Sequence, residues 1–256
     1  MLQAHSFLWY YLWLGPHVLQ VGLSLWLIRR RLHRLFPIFT AYLLYEGLLN
    51  FTLYAMDVLP SVTVETFWRA CCIGLFVEGL LKFAVVGELF SYLVRSWPAV
   101  AKVGNRLISG IGAVLVLLAT LAAAYAPIEY SQYPIASRAH ILEQTLYIVQ
   151  CGLVLFLFLF ASYLHLRWGQ QAFGILLGFG IVSSEHLGTW AVMANGLLAE
   201  KRYLLDFLNM ATYQVCVLIW FYCLLVPEKK ATTSTEPLPE NNLGVWNREL
   251  ERLLQP

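Results

Sequence analysis

The chain has 256 residues, of which 59% are hydrophobic, 15% aromatic and only 12% charged. That charged share is about half of what a soluble domain carries, which excludes a soluble globular enzyme and a disordered chain. A net charge of +2 offers no basic surface to nucleic acid. What remains is an all-α polytopic membrane protein with the lipid bilayer as its first partner.

A bilayer core of about 30 Å takes roughly 20 apolar residues per helix. On that length seven transmembrane helices are expected, near 4–28, 36–58, 67–94, 106–126, 138–166, 171–196 and 203–226. The runs are continuous rather than alternating, which excludes a barrel. The first span has no basic residue before it, Arg29–Arg31 after it and no small-x-small cleavage pattern. It reads as a retained helix inserted N-terminus outward rather than a cleaved signal.

Polar groups recur at mid-depth along the chain. The first span carries His17 and Gln20 beside Pro16, a residue that frees the carbonyl of Leu12 and would open room near His17 if it kinks the helix. The second carries Glu46 and Asn50. The third carries Glu78 and Lys82, four apart with the acid first, the spacing of an in-helix ion pair. Glu88 lies deeper, where loop arginines could meet it. The fourth span is apolar almost all round, as a helix facing lipid on most sides would be. The fifth carries Gln150 at mid-depth, with Glu143 and Gln144 nearer its outer end; His140 and His165 stand at its opposite ends. The sixth carries Glu185 and His186, and a Gly174-x-x-x-Gly178 face suited to close helix packing. The seventh carries Gln214, with Asp206 and Asn209 nearer the outer end, where they could line a vestibule or sit at the interface.

An ionised group at the bilayer centre costs roughly 2.5–3.5 kcal/mol on insertion scales, so such groups seldom persist idly. The candidate ligand or proton site is therefore Glu46, Glu78, Lys82, Glu185, His186, His17, Gln20 and Gln150. Several carboxylates around one lysine leave an excess of acid, which suits a cationic ligand, a metal or a mobile proton. The alternatives are a structural ion pair at Glu78–Lys82 and hydrogen-bonding glue elsewhere, such bonds averaging about 0.6 kcal/mol. Ser183–His186 are consecutive on a helix and point in different directions, so no catalytic residues are assigned. No cofactor and no metal are expected: a haem or zinc would have to be built on His17 and His186. The five cysteines show no zinc spacing and read as buried free thiols.

After Pro227 the composition changes. The reading is a transmembrane domain over 1–227, a flexible linker over 228–242 and a cytoplasmic amphipathic helix over 243–254. Leu243, Trp246, Leu250 and Leu253 form its apolar stripe. Its polar face has mixed charge, which favours docking on the protein itself or on a cytoplasmic protein partner over anionic lipid.

Twelve of the 17 lysines and arginines fall on the side of the first loop and the tail, and four on the other, with Lys82 inside a span. The excess marks the cytoplasmic side, giving an outside N-terminus and a cytoplasmic C-terminus in a cell's inner membrane. Trp9, Trp68 and Trp190 fall near the outer interface, and Trp26, Trp97 and Trp168 near the inner one. Gln20-x-Gly22-Leu23 matches Gln150-x-Gly152-Leu153 at an offset of 130, and Glu46 and Glu185 are 139 apart. These hint at a 3+1+3 parallel repeat, an arrangement seen in transporters.

The run Gln150–Tyr163, Trp168, Phe173-Gly174-Ile175, Pro227-Glu228 and Leu243-x-x-Trp246-Asn247-x-Glu249-Leu250 resemble a group of uncharacterised bacterial seven-helix proteins. That resemblance implies a fold of similar length and no activity. The topology is also similar to that of rhodopsin-like proteins, but the seventh span lacks the lysine that would hold retinal. The function expected from the residues is a sensor or small-ligand-binding membrane protein. The alternatives are a proton-coupled small-molecule transporter and a structural subunit of a membrane complex.

Overall fold

The computed structural model describes residues 6–125, 134–166, 168–194, 202–226, 244, 246–248 and 251–252. Seven long helices account for nearly all of them: α1 (Phe7–Arg29), α2 (Pro37–Val58), α3 (Val64–Leu93), α4 (Pro98–Tyr125), α5 (Pro134–Tyr163), α6 (Gln170–Ala194) and α7 (Arg202–Leu225). Among the described residues there is no strand. The expected linker, and Leu243, Leu250 and Leu253 of the tail helix, lie outside the described residues.

Local chemistry sets the helix starts. The Ser6 hydroxyl accepts from the Trp9 amide at 3.3 Å, and the Thr63 hydroxyl accepts from Thr66 at 3.2 Å, both as N-caps. Three helices begin on a proline, at Pro37, Pro98 and Pro134, where the missing N–H costs nothing. Proline starts carry α4 and α5 further toward the N-terminus than the expected 106 and 138. The apolar runs alone had placed Lys102 and Arg106 in a loop.

Six helices are long and apolar enough to cross a membrane, and these are all but α2. At 22 residues α2 would span about 33 Å. Tyr42, Tyr45, Glu46 and Asn50 dilute its apolar run, and these are residues it contributes to the interior. The chain is therefore a multi-pass integral membrane protein.

Packing runs in a ring. α1 packs on α2, α2 on α3, α3 on α5, α5 on α6, α6 on α7, and α7 back on α1. α3 also touches α6 across the ring. α4 packs outside, against α3 and α5, and leaves Leu107, Ile111, Val114, Leu117, Leu118 and Leu121 exposed. This is the peripheral, lipid-suited position expected of it.

The two ends of the ring differ. At the lower end, where α1, α3, α5 and α7 finish, the core is dense and apolar. Leu27, Phe36, Phe39, Leu89, Phe179 and Trp220 are each at most 2% exposed. Phe39, Tyr42, Phe179 and Trp220 meet with ring centroids 5.3–6.4 Å apart, distances typical of favourable aromatic pairs. The upper end, where those four helices begin, holds polar side chains and cavities. Gly174 and Gly178 let α6 approach α7 closely: a Cβ at Gly178 would overlap the Trp220 indole, and one at Gly174 would overlap Cys223.

Candidate functional site

Most of the expected mid-depth residues are buried: His17, Gln20, Glu46, Glu78, Lys82 and Gln150 are all 8% exposed or less. The helices bring them together unequally.

On α3, Lys82 Nζ is ion-paired to Glu78 Oε1, as the i,i+4 spacing predicts. The ammonium also lies 4.3 Å from the centre of the Tyr147 ring on α5, a cation–π contact. The same ring stacks on His186 of α6 at 4.0 Å. Tyr147 thus links the lysine on α3 to the histidine on α6.

On α2, Asn50 Nδ2 donates to the Glu46 carbonyl at 3.0 Å and to Glu46 Oε1 at 3.2 Å. Trp13 Nε1 of α1 donates to Asn50 Oδ1 at 3.1 Å. The second carboxylate oxygen, Glu46 Oε2, is buried and has no hydrogen-bond partner. Buried polar atoms are nearly always paired, which sets this oxygen apart together with Gln150 Oε1, Gln214 Oε1 and His33 Nδ1.

A second network runs from α1 to α7. His17 Nδ1 donates to Gln20 Oε1 at 2.9 Å, Gln20 Nε2 donates to the Tyr213 hydroxyl at 2.5 Å, and that hydroxyl lies 3.5 Å from the Tyr42 hydroxyl. It ends at the aromatic cluster of the lower core. On α6, Glu185 Oε2 is 3.3 Å from His186 Nδ1. With its amide nitrogen turned toward α6, Asn209 of α7 donates to Glu185 Oε2 at 3.0 Å and to Thr189 Oγ1 at 3.3 Å.

Among the cavities of the upper half, two have carboxyl groups in their walls; a third, about 500 Å³, is an apolar recess along α1. The larger of the two, about 220 Å³, lies among α2, α3 and α5. Its polar wall is Glu46, Asn50, Glu78, His140, Glu143 and Tyr147, and Trp68, Cys71 and leucines complete it. Its lining runs from Trp68 and His140, near helix starts, down to Glu78 and Tyr147. The smaller, about 150 Å³, lies among α1, α2, α5, α6 and α7, with Leu12, Pro16, His17, Glu46, His186 and Asn209 in its wall. Room therefore exists beside Pro16 and His17, where the sequence placed it. Glu46 and Tyr147 line both cavities.

Gln150 lines neither. Its amide nitrogen donates to the Phe179 carbonyl at 3.4 Å, between α5 and α6, and its Oε1 is without a partner. Among the described residues Glu88 meets no arginine; its two oxygens accept from the Ile38 and Phe39 amides at 2.8 and 2.9 Å. It holds the N-terminus of α2, where a carboxylate complements the helix dipole. The sequence reading left His140 outside the site and Glu143 undecided. Yet His140, Glu143 and Tyr147 recur at i, i+3 and i+7, a helical face that marks the cavity wall. Glu143 Oε2 is 3.7 Å from His140 Nδ1, and its Oε1 is 4.0 Å from His186 Nε2.

All five cysteines are free thiols. Among the described residues, no group of three His, Cys, Asp or Glu side chains could hold a metal ion. Of the tail, Trp246 is 65% exposed. Asn247 Oδ1 accepts from the Ala99 amide at 3.0 Å and from Val100 at 3.5 Å, at the start of α4.

No protein-family model, curated protein or solved structure matches the chain, so its function is argued from its own residues.

Proposed function

We propose that the chain crosses the membrane seven times, N-terminus outside, and receives a small ligand from the outer side in the larger cavity, as a sensor or small-ligand-binding protein of the cytoplasmic membrane. The observation that carries this is Glu46, which lines a cavity in the upper half and keeps one buried carboxyl oxygen, Oε2, without a partner. The positive-inside distribution makes that half the outer one, and the packing of α2 between α1 and α3 favours its being a span. Glu78, Lys82 and Tyr147 shape the floor of the site. His17 and His186 line its smaller neighbour, with Gln20 bonded to His17 and Glu185 beside His186.

A carrier is the second reading. Glu46 faces both cavities, and the α3–α5 and α7–α1 contacts are the two joints a parallel 3+1+3 repeat would place between its halves.

Cys71 in the cavity wall gives a native reporter. In a variant whose other four cysteines are replaced by serine or alanine, a membrane-impermeant methanethiosulfonate is expected to modify Cys71 in right-side-out vesicles and not in inverted ones. Modification from the inverted side alone, or from neither side, overturns the reading.

A further inference from the structure

The larger cavity says more than that something binds. Its wall contains three carboxylates, Glu46, Glu78 and Glu143, and among its lining residues there is no lysine or arginine. Lys82 stands behind the wall, ion-paired to Glu78 and lying over Tyr147. It therefore offsets one of the three acids. The one base on the wall, His140, lies 3.7 Å from Glu143. Carboxyl groups therefore outnumber bases on the wall, in surroundings where a charge is weakly screened. The remaining lining is organic in character: Trp68, Tyr147, Leu49, Leu53 and Leu75. Acid plus indole and phenol is the chemistry that holds ammonium groups. No three side chains converge on a metal among the described residues, which disfavours a bare divalent ion. The volume equals about seven waters at ~30 Å³ each, enough for a small molecule and too little for a peptide.

We propose that this cavity takes a small organic cation, an alkylammonium or guanidinium compound, with Glu46 as its principal counter-ion and Trp68 at its mouth. This rests on the cavity's being the ligand site. Glu46 supplies a carboxyl group with one oxygen unpartnered, and Glu143 the second carboxyl group.

The test uses full-length protein in nanodiscs and charge-matched probe pairs: choline against 3,3-dimethylbutan-1-ol, and guanidinium against urea. The cation of at least one pair is expected to raise the melting temperature and to slow modification of Cys71, with its neutral counterpart at least tenfold weaker. Glu46→Gln is expected to weaken the cation at least tenfold while leaving the neutral probe unchanged. Glu143→Gln is expected to do the same to a smaller degree, and serves if Glu46→Gln misfolds. Equal effects of cation and neutral isostere overturn the cation assignment and keep the ligand cavity. No effect of any probe, with Cys71 still modified from the outer side, also overturns the cation assignment. Failure of Cys71 to react from that side removes the cavity reading itself.

Discussion

Glu78 and Lys82 form an ion pair one turn apart on α3, both less than 10% exposed. Removing one partner leaves the other as an uncompensated buried charge, a change that typically costs 3–5 kcal/mol. Lys82→Met and Glu78→Gln should each lower the unfolding midpoint strongly in a detergent denaturation series. The double variant should recover most of the loss. If the single variants are as stable as wild type, the pair is not sealed as described.

Glu88→Ala should cost about 1–3 kcal/mol, because two charge-assisted hydrogen bonds to the first turn of α2 are lost. Glu88→Gln keeps one acceptor and should lose about half as much. Hydrogen exchange at Ile38 and Phe39 should accelerate in both. Arg95→Gln, on the same helix end but lying over Tyr92 at 5.0 Å, should leave those amides protected.

Gly178→Ala should be destabilising by about 1–3 kcal/mol, since its Cβ would enter the space of a fully buried Trp220 whose indole N–H is bonded to the Ile175 carbonyl at 3.2 Å. Gly152→Ala, with nothing within 4 Å of the added carbon, should be neutral or stabilising by up to about 1 kcal/mol. Thermal unfolding of the two variants side by side checks the contrast. Equal behaviour would mean that α6 and α7 do not approach as closely as described.

Tyr213→Phe should remove the acceptor for Gln20 Nε2. A buried amide left unpaired costs about 1–3 kcal/mol, and Gln20→Leu combined with it should restore part of the loss. Thermal stability of the single and double variants reads the coupling.

Asn247→Ala should free the first amides of α4, since a lost N-terminal cap costs roughly 0.5–2 kcal/mol. Exchange at Ala99 and Val100 should rise, with α3 and α5 unaffected. Asn247→Asp keeps the acceptor and should behave as wild type.

The helices were legible because bilayer length and continuous apolar runs mark them, and the Glu78–Lys82 pair because i,i+4 spacing fixes it without knowledge of neighbours. Burial of His17, Gln20 and Glu46 followed from the cost of facing lipid. What the sequence could not say is which helix neighbours which. Glu88 reads from sequence as structural, with loop arginines as possible partners; its partners are backbone amides of α2, and backbone donors carry no sequence signal. Gln150 shares its motif with Gln20 but faces a carbonyl of α6, whereas Gln20 joins His17 to Tyr213. By depth alone Glu143 fits a vestibule or the interface equally, and His140 only the end of its helix; the packing of α5 on α3 turns that face inward. The Tyr147 contacts with Lys82 and His186 depend on three helices at once, and no local pattern announces them.

The cap on α4 has a consequence for biosynthesis. Asn247 lies 148 residues after the amide it accepts from. At about 5–20 residues per second, that contact cannot form until about 7–30 s after Ala99 leaves the ribosome's peptidyl-transferase centre. Through that interval α3, α4 and every later helix enter the bilayer with the first turn of α4 uncapped. A chain stopped just short of residue 247 would carry all seven helices and still lack this clasp, so the seven helices must hold their places before α4 is capped.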